Sequence, residues 1–129
     1  VILVDSSVWI DYFNGHGTPQ TDQLDGLLGG DELLTGDLIW AEVLQGFRGE
    51  SDFERARRAL AELPYADLAG KEVALVSAQN YRRLRQNGIT VRRTIDVIIA
   101  TFCLQNDHAL LHADRDFDVM RVHLGLRTL

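Results

Sequence analysis

Val1-Ile2-Leu3-Val4-Asp5-Ser6-Ser7-Val8-Trp9 carries the reading that decides the fold. Four consecutive apolar residues predict a strand buried on both faces, and an acid with two serines directly behind it is a helix-start signal. The resulting helix runs to about Asn14, where Asn14-Gly15-His16-Gly17 stops it. The same grammar returns twice. Glu32-Leu33-Leu34-Thr35 precedes a helix from about Asp37 to Phe47, and Ala109-Leu110-Leu111-His112 precedes one from Asp114 to Leu124. Further helices are expected over Thr18 to Leu28, Ser51 to Leu63, Lys71 to Gln86 and Thr94 to Gln105, closed in turn by Gly29-Gly30, Pro64 and Asn87-Gly88. The Thr94 to Gln105 helix is apolar nearly all round, which places it inside the domain. Tyr65 to Leu68 and Leu126 to Leu129 are the weakest strand candidates. Strands that alternate with helices give an α/β domain with a mainly parallel sheet and helices on both faces, and its ligands bind beyond the carboxyl ends of the strands.

The 129 residues, 46% of them hydrophobic, suit one domain over 1–129 with one core. No apolar run approaches the roughly 18 residues of a membrane span, and Val1 to Asp5 lacks the basic start of a secretory signal. A cytoplasmic protein with no membrane partner is expected. Cys103, the one cysteine, lies between Phe102 and Leu104 and reads as a small buried hydrophobe. Net charge is −6, and the 13 basic residues are Lys71 and twelve arginines. That balance argues against a general nucleic-acid coat protein, whose binding is driven by a basic surface. It leaves room for an enzyme that gathers acids around cations.

Two expected strand ends carry acids, Asp5 after the first strand and Asp114 with Asp116 after the last. Glu42 lies beside Leu38, Ile39 and Val43 on its helix, and Asp96 precedes Ile99, Ala100 and Cys103 on the all-apolar one. Each acid alone has a plainer reading. Asp5 and Asp114 fit N-caps, Asp96 fits a helix N-terminus, and Glu42 fits the edge of an apolar stripe. Caps do not explain Glu42 together with acids at two strand ends. Two carboxylates about 5 Å apart repel by roughly 3 kcal/mol at an effective dielectric near 20. Something positive must offset this, and carboxylate oxygens without a Cys or His cluster suit Mg²⁺ or Mn²⁺ rather than zinc.

At these residues the sequence resembles the PIN-domain family. The segments are Val4-Asp5-Ser6-Ser7-Val8-Trp9, Glu42 in the following helical region, Thr94-Ile95-Asp96, and Leu111-His112-Ala113-Asp114-Arg115-Asp116-Phe117. The chain's length is similar to that of the VapC toxins of toxin–antitoxin pairs. The resemblance implies an α/β/α sandwich and Mg²⁺-dependent hydrolysis of RNA phosphodiesters by in-line attack of an activated water. It carries the acidic quartet over to Asp5, Glu42, Asp96 and Asp114, and a frequent fifth acid to Asp116. Of these, Asp5, Asp96 and Asp114 would be the principal metal ligands, with Asp116 and Glu42 holding outer waters or a second ion. Ser6 stands where the family has a hydroxyl. A homodimer and a small antitoxin partner are implied too, and an antitoxin arginine forked onto the acids is the expected blocker.

Arg92 and Arg93, just before Asp96, are the arginines expected at the substrate phosphates. Those at 55, 57, 58, 82, 83 and 85 read as solvated helix faces, His112 as structural, and Trp9 and Trp40 as core or interface. A phosphoacceptor or phosphotransfer domain is the competing reading. It would need paired acids after the first strand and a lysine near a late one, whereas Ser6 and Ser7 follow Asp5 and Lys71 follows Gly70. A PIN fold kept only as a binding module would be expected to lose an acid.

Overall fold

The computed structural model describes residues 1–129. Four parallel strands form the sheet: β1 (Ile2–Val4), β2 (Leu33–Gly36), β3 (Tyr65–Ala66) and β4 (Ala109–Leu111), in the order β3-β2-β1-β4. Leu3 faces Leu34 on one side and Leu110 on the other, and Val4 faces Leu111. Leu3 and Val4, Leu33 to Thr35 and Ala109 to Leu111 are buried as predicted, whereas Val1 is exposed and Ile2 half-buried at the start of the first run. The sheet is wholly parallel. Beyond β4 the expected Leu126 to Leu129 strand is reduced to a single bridge from Thr128 to Leu110.

Seven helices connect the strands: α1 (Ser6–Phe13), α2 (Pro19–Leu27), α3 (Asp37–Leu44), α4 (Glu50–Ala61), α5 (Lys71–Gln86), α6 (Thr94–Asn106) and α7 (Arg115–Leu124). From β1 the chain steps to β2 and then β3 in one direction, then crosses back over β1 to reach β4. Because parallel crossovers are right-handed, α1–α4 must cover one face and α5–α6 the other. The packing agrees, since α1 lies on α2 and α3, and α3 on α4, while α5 and α6 pack together and both meet α7. The reversal of direction falls between β1 and β4, the place where such sheets bind ligands.

Core residues come from every layer, with Leu3, Val8, Ile39, Leu60, Ile99, Leu110 and Phe117 wholly buried. On α6, Val97, Ile99, Ala100, Phe102 and Cys103 are all buried, as its composition requires. Burial pushes the Cys103 thiol up to about 12, so it is held as an apolar group. Gly36 permits the close approach of the β3 segment: a Cβ there would lie 2.4 Å from Leu68 Cγ and 2.6 Å from the Ala66 carbonyl oxygen. The next residue, Asp37, accepts the backbone N–H of Leu68 at 2.8 Å and its own helix's Leu38 N–H at 2.9 Å. This strand-end acid is a structural tie. No helix is long and apolar enough to cross a membrane.

Candidate metal centre

Asp5 and Asp114 act as the caps that a plain reading assigns them, and each spends one oxygen in doing so. Asp5 Oδ2 accepts the Ser7 N–H at 3.1 Å, and Asp114 Oδ1 accepts the Asp116 N–H at 3.0 Å. The second oxygen is left over. Asp5 Oδ1 is buried with no hydrogen-bond partner, as is Asp116 Oδ2. Orphaned carboxylate oxygens inside a protein are costly unless a donor or a cation meets them. Burial raises the Asp5 carboxyl to about 6 against the lowering hydrogen bonds of Ser7, and the charges of Asp96 and Glu42 add to the rise.

One oxygen from each of Asp96, Asp114 and Asp116 lies within 4.8 Å of the other two. An octahedral Mg²⁺ spans about 4 Å between opposite oxygen ligands, so these three are within a small adjustment of a common ion. Asp96 is fully buried, and burial lifts its carboxyl above the usual range even though Arg93 pulls it down. Glu42 joins the group from α3: Oε1 accepts the Ser6 hydroxyl at 3.0 Å and Oε2 accepts Arg93 Nη1 at 3.0 Å. Arg93 also grips Asp96 twice, from Nε at 3.1 Å and from Nη2 at 2.8 Å. Arg92 Nε stands 3.7 Å from Asp116 Oδ2. Asp96, Asp114 and Asp116 are thus drawn into one cluster, Glu42 joins it through Arg93 and Arg92 reaches it at Asp116, while Asp5 lies outside the three-acid cluster but near enough to feel the charges of Asp96 and Glu42. A cleft of about 430 Å³ opens there, lined by Ser6, Ser7, Glu42, Arg92, Arg93 and Asp114, with Ile10 its only apolar wall. The donor set is all oxygen, which suits a hard divalent cation.

Ser7 escaped the sequence reading. Its hydroxyl donates to Asp5 Oδ2 and accepts the Ala113 N–H at 3.1 Å, joining the ends of β1 and β4. A hydroxyl in the first turn behind a capping acid was the available signal. Gln45, on the cleft wall, was missed as well. His112 supports the acidic turn: Nδ1 accepts the Asp114 N–H at 3.2 Å and the ring packs 5.1 Å from Phe117. Lys71 opens α5 and takes no part in the cleft.

The PIN-domain model matches residues 2–122. The chain belongs to the PIN-domain family. This PIN domain is 28% identical over 122 residues to the protein named ribonuclease VapC11 of Mycobacterium tuberculosis, covering 93% of this chain and 91% of that one. Its fold is similar to that of VapBC2 from Rickettsia felis, solved bound to a promoter DNA fragment, with TM-score 0.74, 14% identity, and 99% and 96% of the two chains covered. FitAcB from Neisseria gonorrhoeae matches with TM-score 0.74 and 17% identity, over 100% of this chain and 96% of that one. Identities this low speak for the fold alone.

Proposed function

We propose that this PIN domain is a Mg²⁺-dependent ribonuclease, with Mn²⁺ able to substitute, and the toxin half of a toxin–antitoxin pair acting in the cytoplasm. The observation that carries the reading is the cluster of Asp96, Asp114 and Asp116 at the sheet's switch point, with Glu42 and Asp114 opening onto the adjoining cleft and with Asp5 Oδ1 and Asp116 Oδ2 buried without hydrogen-bond partners. Family membership and the ribonuclease name of a relative that spans nearly the same length support it.

Asp96, Asp114 and Asp116 would hold the cation together with Asp5, and Glu42 is placed to keep outer waters or accept a proton. When bound, the ion lowers the pKa of an attacking water and neutralises charge that grows on the phosphoryl oxygens. The protein's own groups set the geometry. Ser7 fixes the Asp5 carboxylate so that Oδ1 is the oxygen left for the site, and Ser6 holds Glu42 by Oε1. Arg92 and Arg93 supply the positive rim for the RNA backbone, which a chain of net charge −6 otherwise lacks. A small antitoxin protein and a second copy of this chain are the proposed partners.

The test is incubation of the purified protein with a total RNA pool in Mg²⁺ and in chelator. Cleavage is expected only with Mg²⁺, and Asp5→Ala and Asp96→Ala should each lower it by at least about 100-fold, since loss of even a supporting residue costs a metal site 10–100-fold. Full activity in both folded variants would remove the acids from the mechanism.

A further inference from the structure

The link between α5 and α6 lays two consecutive arginines on the acids. Every side-chain nitrogen of Arg93 is spent on a carboxylate: Nε and Nη2 on Asp96, Nη1 on Glu42. Arg92 faces Asp116 Oδ2 from 3.7 Å, an ion pair to a buried oxygen that accepts no hydrogen bond. Two guanidinium groups therefore cover three of the five acids, and both oxygens of Asp96 are engaged. A cation shared by Asp96, Asp114 and Asp116 needs one of those oxygens and would be placed against the same guanidinium. Like charges so close in a partly dry cleft repel strongly. The side chains are unequally free to yield: Asp96 is 0% exposed and Glu42 9%, but Arg93 is 50% and Arg92 80%.

We propose that Arg92 and Arg93 form a built-in counter-ion that holds the acids together before the divalent cation arrives, is displaced by it, and then turns outward to the phosphates of the RNA. The inference rests on the metal-dependent reading of the acid cleft. While forked onto carboxylates, Arg93 has no geometry left for a phosphate; once released, its planar fork suits one. Cation binding therefore precedes productive RNA binding, because the same event that charges the site frees its anion-binding arms. The opposite arrangement, in which Arg93 orients Asp96 for the ion, predicts the reverse response to its removal.

Calorimetric titration of Mn²⁺ into chelator-stripped protein separates the two. If the fork is closed in about nine molecules of ten, Arg93→Gln should bind Mn²⁺ about tenfold more tightly than the parent, since the parent's dissociation constant is the intrinsic one divided by its competent fraction. Arg121→Gln, on an exposed site of α7, should leave it unchanged. A slowly cleaved phosphorothioate RNA, followed by anisotropy, should gain affinity with Mn²⁺ in the parent, and the gain should shrink in Arg92→Gln/Arg93→Gln. Equal or weaker Mn²⁺ binding by Arg93→Gln overturns the counter-ion and leaves Arg93 as an orienter of Asp96. If that variant does not fold, Arg92→Gln must shift Mn²⁺ affinity in the same upward direction, and no rise overturns the proposal. Failure of parent and variants alike to take up Mn²⁺ overturns the metal-site reading itself.

Discussion

Ser7 holds Asp5 twice, through its backbone N–H and through its hydroxyl, and both bonds fall on the same carboxylate oxygen. The hydroxyl also accepts the N–H of Ala113, so one side chain fastens the acid of β1 to the turn that carries Asp114. Ser7→Ala removes a donor from a buried carboxylate and an acceptor from a backbone N–H. A loss of about 1–3 kcal/mol is expected, to be read from urea midpoints. A variant as stable as its parent would show that the hydroxyl is dispensable.

Asp5 also sets a pH dependence for the cation-free protein. Its carboxyl sits at about 6 in the fold, above its ordinary value of 3.8, because burial disfavours the charge. The folded state therefore binds the proton more tightly than the unfolded one. Its contribution, roughly 3 kcal/mol, is fully present below about pH 4 and lost as pH rises through about 6. In chelator, Asp5→Asn should melt several degrees higher than the parent at pH 7.5, with the difference closing near pH 4. Melting curves at the two pH values check this, and an equal difference at both would refute the assignment.

Gly36→Ala tests the packing of the sheet edge. The added methyl would meet Leu68 Cγ at 2.4 Å and the Ala66 carbonyl at 2.6 Å, so the β3 segment must move away. The expected cost is about 1–3 kcal/mol in denaturant unfolding.

A second copy of the chain is expected in solution. Apolar side chains remain exposed at Leu75 on α5 and Val122 on α7, and an apolar groove lined by Ala78, Tyr81, Val97 and Ile98 runs between α5 and α6. Light scattering should give twice the 14.5 kDa of the chain, and a monomer mass at high concentration would count against the dimer.

The strands bearing the acids were legible because Leu3, Val4 and Ala109 to Leu111 are buried on both faces, which leaves only apolar residues there. β3 was faint since Tyr65 is exposed and the strand has two residues, too few to show any period. Acid positions could be read from chemistry out of place, as with Glu42 and Asp96. Their partners could not. The reach of Arg93 to Glu42 and the bridge from Ser7 to Ala113 depend on distances that only the folded sheet creates, across 51 and 106 residues of sequence. Asp37 looks like Asp5 in sequence, an acid directly after a strand, but its Oδ1 ties down the Leu68 N–H and its other oxygen is not a buried orphan as Asp5 Oδ1 is. The serines that follow Asp5, where Leu38 and Ile39 follow Asp37, are the local difference. The arginines on α4 were readable as solvated faces, and Arg55 and Arg57 do pair with Asp52 and Glu54 one turn away.

The position of β1 between β2 and β4 has a consequence for the order of events during synthesis. A chain emerging from the ribosome can pair β1 with β2 early, but the side of β1 that carries the switch point stays open until β4 has been made. Asp5 therefore waits, facing no Asp114, through the production of everything between them. On the ribonuclease reading, a nascent chain of this topology holds no complete site, because no length of chain that ends before Asp114 can assemble the acids.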